Sequence, residues 1–218
     1  MSLVTAPAGS SVSTRSSVDL VGTFRIAAGA CDPVTRTVKG SWFRLIYPGG
    51  NTKTGYFFEN TASACYEKSY TVVSPGGQGG LATGTYQPGP RRAFAENGDA
   101  RAGAVIRPVP FATVDLSIST QATDPQTGHP VPAPSIVDAG GRLSGNLEAV
   151  SAAWRGIYMN QGSPKPGGRR PGLTTPVSGT YNARTHAFVL HWTSKIVGGP
   201  FTGFIADWHL IGRFAPTS

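Results

Sequence analysis

Short runs in which apolar and polar residues alternate recur along the chain from residue 18 onward. In the first run, Leu20, Phe24 and Ile26 share one face of a strand, because successive side chains of a strand point to opposite faces. The same pattern predicts further strands at 38–47, 55–58, 69–73, 81–86, 111–119, 143–154, 187–194 and 204–214. Residues 146–158 also show near-helical spacing of apolar positions, so a short helix stays open for that segment.

Turn-forming residues separate these runs. Three segments begin with Asp or Asn and share turn chemistry: 32–35 (DPVT), 124–128 (DPQTG) and 182–185 (NART). Asp or Asn at the first turn position accepts backbone N–H bonds, and Pro at the second presets φ, so we expect hairpin joints there. The pattern predicts an all-β fold over residues 18–218, a single antiparallel β-barrel or closed β-sandwich of about ten strands, after a flexible tail at 1–17.

The composition agrees with strands joined by long loops. The chain has 29 Gly and 18 Pro among 218 residues, whereas the helix formers Glu and Lys are scarce. Three loops rich in Gly and Pro are expected at the surface: 74–80 (SPGGQGG), 87–92 (QPGPRR) and 161–172 (QGSPKPGGRRPG). The chain lacks a run of about 18 apolar residues, so no transmembrane segment is predicted.

The two cysteines, Cys31 and Cys65, are candidates for a disulfide bond. Whether two thiols pair depends on the compartment, and their presence alone does not decide it. Richness in Ser, Thr and Gly favours an extracellular or cell-envelope location, although no signal peptide is written in this chain. A cytoplasmic location is the alternative.

Positive charge is concentrated in the second half of the chain. The formal net charge is +8, and no acidic residue occurs between Glu148 and Asp207. The basic residues of that stretch are Arg155, Lys165, Arg169, Arg170, Arg184 and Lys195. Basic side chains on a long loop attract anions, so we expect an anionic or amphipathic ligand, or self-assembly, at this surface. The absence of a nucleic-acid-binding motif argues against specific nucleic-acid binding.

The last two predicted strands form a hairpin with two unlike faces. One face carries aromatic and aliphatic residues, including Trp192 and Trp208, and is expected to pack in the core. Antiparallel pairing places His191 of the opposite face across from either Asp207 or His209, depending on the register. Either register gathers one patch of polar residues: His191, Asp207, His209 and Arg213.

Three interpretations of this patch stay open. A carboxylate beside an imidazole suits proton transfer, which would make His191, Asp207 and His209 catalytic acid–base residues. Inside a barrel the same face would suit an amphipathic ligand, and outside it would be a solvent-exposed polar ladder. A metal site is not predicted, because the chain contains no His-x-His pair or helical His-Glu-x-x-His motif.

A second candidate surface lies around the long basic loop. Trp154 precedes Arg155 and stands close to Tyr158, so Trp154 is predicted to be an exposed aromatic that contacts a ligand. The predicted ligand-binding set is Trp154, Arg155, Tyr158, Lys165, Arg169, Arg170 and Arg213.

Common catalytic templates are missing from the chain. It contains no Gly-x-Ser-x-Gly elbow, Walker phosphate loop or Cys-x-x-Cys motif, and no cofactor is predicted. The sequence therefore favours a non-catalytic binding, cell-envelope or assembly protein. One alternative is a β-barrel that binds or transforms a small organic molecule through His and Asp, and another is a carbohydrate-binding sandwich.

Overall fold

The computed structural model describes residues 16–217, and this part of the chain is all β, with no helix. The strands are β1 (Val18–Asp19), β2 (Gly22–Ile26), β3 (Ala30–Cys31), β4 (Val38–Lys39), β5 (Trp42–Asn51), β6 (Gly55–Phe57), β7 (Thr71–Val72), β8 (Gly80–Ala82), β9 (Ile106–Phe111), β10 (Val114–Thr120), β11 (Ser135–Asp138), β12 (Arg142–Asn146), β13 (Val150–Trp154), β14 (Ile157–Asn160), β15 (Val177–Tyr181), β16 (Ala187–Lys195) and β17 (Ile205–Pro216). Most of the predicted tail, residues 1–15, lies outside the described residues.

These strands form three antiparallel sheets. The largest is curled and follows the path β1-β11-β12-β15-β16-β17-β2-β8, with β5 attached to β17 and with β6 and β7 attached to β5. A second sheet has the order β14-β13-β10-β9, and β3 pairs with β4. The predicted all-β, antiparallel character is confirmed. The described strands are more numerous than expected, and the large sheet's path ends at β1 and β8 rather than closing into one ring.

The long strand β17 organises the large sheet. One edge of β17 pairs with β16 over nine residues, while its other edge pairs first with β5 and then with β2. Gly212 lies where β17 meets β2, and a Cβ atom there would collide with the carbonyl oxygen of Arg25. The close approach of the two backbones therefore requires glycine at this position.

The core lies between the large sheet and the four-stranded sheet. The apolar face predicted for the last hairpin is buried, with Trp192 and Trp208 stacked at a centroid distance of 5.8 Å. Phe43 of β5 stacks on Trp208 and also contacts Phe111 of β9, so aromatic rings bridge the two sheets. Burial of such large rings supplies much of the hydrophobic stabilisation of the fold.

The segment predicted as one strand over 143–154 is instead divided between two sheets. β12 ends at Asn146, and β13 begins at Val150 in the four-stranded sheet. The alternative helix at 146–158 is wrong, since β13 and β14 form a hairpin there. All five residues of β13 are buried, so apolar and small residues occupy both faces of the strand and obscure its period of two.

The DPVT and NART turns are confirmed as hairpin joints. The Asp32 carboxylate accepts backbone N–H bonds from Val34 and Thr35 between β3 and β4. The Asn182 side chain accepts the equivalent bonds between β15 and β16. In both turns a side-chain oxygen satisfies donors that a tight reversal leaves unpaired.

Cys31 and Cys65 are joined by a disulfide bond, as the sequence allowed. The bond connects β3 to the loop that precedes β7, and Cys65 is buried. Disulfide bonds form and persist in oxidising compartments, which fits an extracellular environment. Across residues 16–217 there is also no helix of the length and apolarity needed to cross a membrane.

Candidate functional site

The polar face of the last hairpin forms a compact cluster on the outer side of the large sheet. The register places His191 opposite His209, and Asp207 lies diagonally from His191. The Nε2 atom of His191 lies 2.7 Å from Asp207 Oδ1, and Arg44 Nε donates to Asp207 Oδ2 at 2.8 Å. Asp207 thus has a basic partner for each carboxylate oxygen, although only 1% of its side chain is exposed.

The guanidinium group in this cluster comes from Arg44 and not from the predicted Arg213. Besides Asp207, Arg44 donates to the Tyr70 hydroxyl and to the Thr52 carbonyl oxygen, each at 3.2 Å. Arg213 lies four residues beyond His209 on β17, is exposed, and donates to the carbonyl oxygen of Thr185. The pairing of β5 with the first half of β17 brought Arg44 to Asp207.

Aromatic rings cover the rest of the cluster. Trp42 stacks on His209 with a centroid distance of 5.0 Å, and Tyr70 meets Trp42 edge to face. The Arg44 guanidinium carbon lies 4.0 Å from the centre of the Phe57 ring. The indole ring of Trp42 and the imidazole ring of His209 are therefore already in contact with each other, while 40% of the His191 side chain is exposed.

The ionisable groups of the cluster shift one another's pKa values. Burial raises the pKa of Asp207, but the hydrogen bonds from His191 and Arg44 outweigh burial and hold the pKa below its usual value. Burial and the neighbouring His191 lower the pKa of His209. None of five pronounced cavities in residues 16–217 is lined by Asp207, His191 or His209. The arrangement is that of a satisfied structural network.

A cavity of about 280 Å³ lies on another part of the surface, beside the end of β14. It is bounded by the 124–127 turn, the basic loop and the segment that follows β16. Its lining residues are Asp124, Gln126, Thr127, Asn160, Lys165, Pro166, Arg169, Pro171 and Val197. We call this space the Lys165 cavity.

The basic loop folds Lys165 into the protein. Lys165 and Arg169 exchange two backbone hydrogen bonds, and Gly167 and Gly168 between them take positive φ values of 77° and 73°. A side chain at either glycine would strain the left-handed backbone. This tight reversal leaves the Arg169 side chain exposed while Lys165 is buried, with 5% of its surface accessible.

The Lys165 ammonium group is surrounded by neutral acceptors. Its Nζ atom donates to the Asn160 carbonyl oxygen at 2.8 Å, to Asn160 Oδ1 at 3.1 Å and to Ser194 Oγ at 2.7 Å. Within residues 16–217 no carboxylate lies within 4.0 Å of Lys165. Burial lowers the pKa of Lys165 to about 7, and the more distant charge of Asp124 opposes this shift.

Asp124 contributes a buried carboxylate oxygen that has no partner. Its Oδ2 atom accepts hydrogen bonds from the backbone N–H of Gln126 and of Thr127 and from the Thr127 hydroxyl. Its Oδ1 atom is buried without a hydrogen-bond partner among the described residues. Asp124 is also among the residues that line the cavity, so a buried acceptor without a partner belongs to one of its walls.

Gln126 makes one wall of the cavity rigid. Its side-chain amide donates to the Tyr158 carbonyl oxygen at 2.9 Å and accepts from the Asn160 backbone N–H at 2.6 Å. The amide therefore pairs with the free edge of β14 as a further strand would. Both Gln126 and Asn160 are held in place before any ligand arrives.

One other buried polar atom in residues 16–217 lacks a partner, the indole nitrogen of Trp208. The adjoining void in the core has a volume of about 10 Å³. It is otherwise lined by mainly apolar side chains, including Trp192 and Leu210. A space of this size holds about one water molecule at most, so it is not a ligand site.

The structure separates the predicted ligand-binding residues. Lys165 and Arg169 line the Lys165 cavity, whereas the neighbouring Arg170 is exposed and does not line it. The expectation that Trp154 is exposed is wrong. Its side chain is 2% accessible, and its indole N–H donates to the Phe111 carbonyl oxygen at 2.9 Å, because β13 is covered on both faces.

The two residues predicted beside Trp154 also lie apart from the cavity. Arg155 occupies the turn between β13 and β14 and is exposed. Tyr158 is partly buried, with its ring edge to face against Phe94, and burial raises its pKa. Tyr158 borders only shallow depressions outside the Lys165 cavity.

Asp124, Gln126 and Asn160 were not identified from the sequence as site residues. The DPQTG segment that holds Asp124 is predicted to be a hairpin joint, and it does reverse the chain, with the backbone N–H of Gly128 donating to the Asp124 carbonyl oxygen. Only an isolated bridge between Thr123 and Pro130 flanks the turn. Because DPQTG matches an ordinary turn sequence, nothing in it predicts that Asp124 and Gln126 line a cavity.

No group of three metal-ligating side chains occurs among residues 16–217. Comparison of the chain with protein-family profiles, with curated proteins and with solved structures finds no match.

Proposed function

We propose that this protein is a non-catalytic binding protein that takes a small, amphipathic, anionic ligand into the Lys165 cavity. The observation that carries the proposal is that two ionisable side chains without an ion-pair partner in residues 16–217, Lys165 and Asp124, line the same cavity. Lys165 is buried without a carboxylate within 4.0 Å, and Asp124 presents a buried oxygen without a donor, both among the described residues. A ligand that brings a hydrogen-bond donor to Asp124 and an acidic group to the basic side chains would satisfy both residues.

The size and lining of the cavity support a small ligand. Its volume of about 280 Å³ is near the lower end of the range for small-molecule sites. Pro166, Pro171 and Val197 offer apolar contact, while Asp124 and Lys165 lie among the polar groups. An aromatic or short aliphatic body with a hydroxyl at one end and an acid at the other fits this division.

The charge distribution supports an anionic group on the ligand. Arg169 is exposed at the cavity, and its Nε donates only to the nearby Pro166 carbonyl oxygen. The guanidinium group can therefore turn toward a carboxylate or phosphate at the rim. The acid-free stretch between Glu148 and Asp207 adds a positive field that draws such ligands to the loop.

The alternative functions have less support. An acid–base enzyme built on His191, Asp207 and His209 would need a substrate pocket at that cluster, whereas the Lys165 cavity lies elsewhere on the surface. A carbohydrate platform needs a free aromatic face, whereas Trp42 is stacked on His209. Within this proposal the protein works outside the cell, where the Cys31–Cys65 disulfide persists.

The test uses para-(hydroxymethyl)benzoate, which carries a hydroxyl donor and a carboxylate on an apolar ring. We expect saturable binding by NMR titration, with shifts at residues of the Lys165 cavity. Arg169→Ser should weaken binding by about fivefold because it removes the rim cation. Arg170→Ser is the matched control, since it removes the same charge beside the cavity and should change the affinity by less than about 1.5-fold.

Equal losses in the two arginine variants would contradict a defined site and would indicate general attraction to basic charge. No saturable binding of this probe, and none of para-formylbenzoate, would overturn the proposed function.

A further inference from the structure

Resting on the proposed function, we propose that Lys165 is a reactive amine that captures an aldehyde or α-oxo acid as a reversible imine within the Lys165 cavity. The ligand class is thereby narrowed to small carbonyl compounds that carry an acidic group. Asp124 lines the same cavity at more than 4.0 Å from Lys165, and its negative charge acts on the Lys165 nitrogen and so favours the resulting iminium.

The surroundings of Lys165 favour an uncharged amine. Every acceptor bonded to Nζ is a neutral oxygen, from Asn160 or Ser194, so loss of a proton breaks no ion pair. Burial lowers the pKa of Lys165 to about 7, so that about half of the molecules hold a neutral amine at neutral pH. An ordinary lysine has less than about 0.1% in that form at the same pH. Only the neutral amine attacks a carbonyl carbon.

The acceptors also fit the product. The neutral amine needs two acceptors for its two N–H bonds, and the protonated imine needs only one. The carbonyl and side-chain oxygens of Asn160 both lie within 3.1 Å of Nζ and can serve either state. Asn160 itself is held by its side-chain N–H bond to the Glu148 carbonyl oxygen. The amine is therefore positioned before the ligand binds.

The reaction balances without an external oxidant or reductant. The nitrogen lone pair of Lys165 forms a bond to the carbonyl carbon, and the carbonyl oxygen leaves as water after taking up two protons from the amine nitrogen. The product is an imine, which becomes an iminium when it takes a proton from solvent. Hydrolysis reverses each step, so the ligand is held covalently and released unchanged.

The other lysines offer an internal comparison. The chain has five lysines, and Lys39, Lys53 and Lys68 are exposed. Lys195 is partly buried on β16, one residue beyond Ser194, but it does not line the cavity. Lys195→Met is therefore a matched control for Lys165→Met.

The experiment treats the full chain with para-formylbenzoate and cyanoborohydride, which reduces an imine to a stable secondary amine. Peptide mapping by mass spectrometry then measures modification at each lysine. We expect Lys165 to react at least about tenfold faster than any other lysine near pH 7, because of its larger neutral fraction. Lys165→Met should abolish this fast phase, and Lys195→Met should retain it.

The rate of Lys165 modification in the unaltered protein should also rise with pH and reach half its maximum near pH 7, as the amine titrates. This profile tests the proposal even if Lys165→Met fails to fold. Saturable binding of para-(hydroxymethyl)benzoate without preferential labelling of Lys165 would overturn the imine and leave the proposed function standing. Absence of both binding and labelling would overturn both.

Discussion

Asp124 and Asp207 are equally buried, each with 1% of its surface accessible, yet their surroundings differ. Both carboxylate oxygens of Asp207 meet basic groups, from Arg44 and His191. Asp124 has three donors on Oδ2 and none on Oδ1 among the described residues. Burying a carboxylate is energetically unfavourable unless it is paired and hydrogen-bonded. Asp207 meets this condition at both oxygens, whereas Asp124 meets it at one.

Arg44, which is partly buried, and Lys165, which is buried, repeat the contrast. Arg44 forms an ion pair with Asp207 and contacts aromatic rings, whereas Lys165 has only neutral acceptors beside a cavity. The outer-face cluster looks more like a catalytic site in the sequence, because histidines and an aspartate share it. In the structure both carboxylate oxygens of Asp207 are paired with basic groups, whereas Lys165 has no carboxylate within 4.0 Å among the described residues.

The largest effect should come from the titration of Lys165. The pKa of Lys165 is lowered in the folded state, so the unfolded chain binds more protons between about pH 7 and the ordinary value near 10.5. The free energy of unfolding should therefore rise with pH across this window, by up to about 5 kcal/mol, and this gain should be lost as the pH falls from about 10.5 to about 7.

Urea unfolding of the unaltered protein and of Lys165→Met checks this, because the variant has no amine to titrate. Their stability difference should change with pH, while Lys195→Met should follow the unaltered protein. A stability difference between the protein and Lys165→Met that does not change with pH would show that folding does not lower the pKa of Lys165. The contrast between Lys165 and Arg44 would then no longer hold.

The next effect concerns the paired centre. Asp207→Asn should lower the free energy of unfolding by about 3 kcal/mol at neutral pH, since it leaves Arg44 without its carboxylate in a largely buried site. The pKa of Asp207 is held low, so its contribution is present above the ordinary Asp value and is lost as the pH falls toward the folded-state pKa.

Chemical unfolding across acidic and neutral pH measures this loss. The exposed Asp19 offers a control, and Asp19→Asn should change stability by less than about 0.5 kcal/mol. Asp207→Asn should also leave binding of para-(hydroxymethyl)benzoate intact. Loss of binding at unchanged stability would instead place the ligand at the outer-face cluster.

The smallest effect should come from His209. Burial and the charge of His191 lower the pKa of His209, so folding disfavours its protonation and stability falls as the pH drops below about 6.5 toward the folded-state pKa. His209→Phe keeps an aromatic ring against Trp42 and removes this titration. The loss of unfolding free energy on acidification should be smaller in this variant by less than about 1 kcal/mol, because the half-buried ring is screened by solvent.

Thermal unfolding near pH 5 and pH 7.5 compares the two proteins, with His129→Phe as an exposed control. A larger pH response in the variant than in the unaltered protein would contradict the assigned direction of the shift.

Local pattern sufficed where a strand has one buried face. The period of two in 187–194 and 204–214 placed Trp192 and Trp208 on one face and His191, Asp207 and His209 on the opposite face, as observed. It failed at 143–154, because β13 is buried on both faces and its sequence carries no alternation. The register was decided by the whole ladder, which sets His191 opposite His209.

The candidate site depended on contacts that local patterns do not encode. The basic loop could be identified by its charge, but its residues diverge: Lys165 is buried, Arg169 borders the cavity and Arg170 is exposed. Asp124 and Val197 reach Lys165's cavity from segments far from Lys165 in the chain, whereas Asn160 is its near neighbour in sequence. Arg44 reached Asp207 in the same way, through the pairing of β5 with β17.

The sequence by itself therefore determined the β class, the turn positions and the faces of one-sided strands, because side-chain period and turn chemistry are local properties. Tertiary structure alone decided which charges are satisfied. Hydrogen bonding and burial depend on groups brought together by long-range strand pairing, and these made Asp207 a structural centre and left Asp124 and Lys165 facing an open cavity.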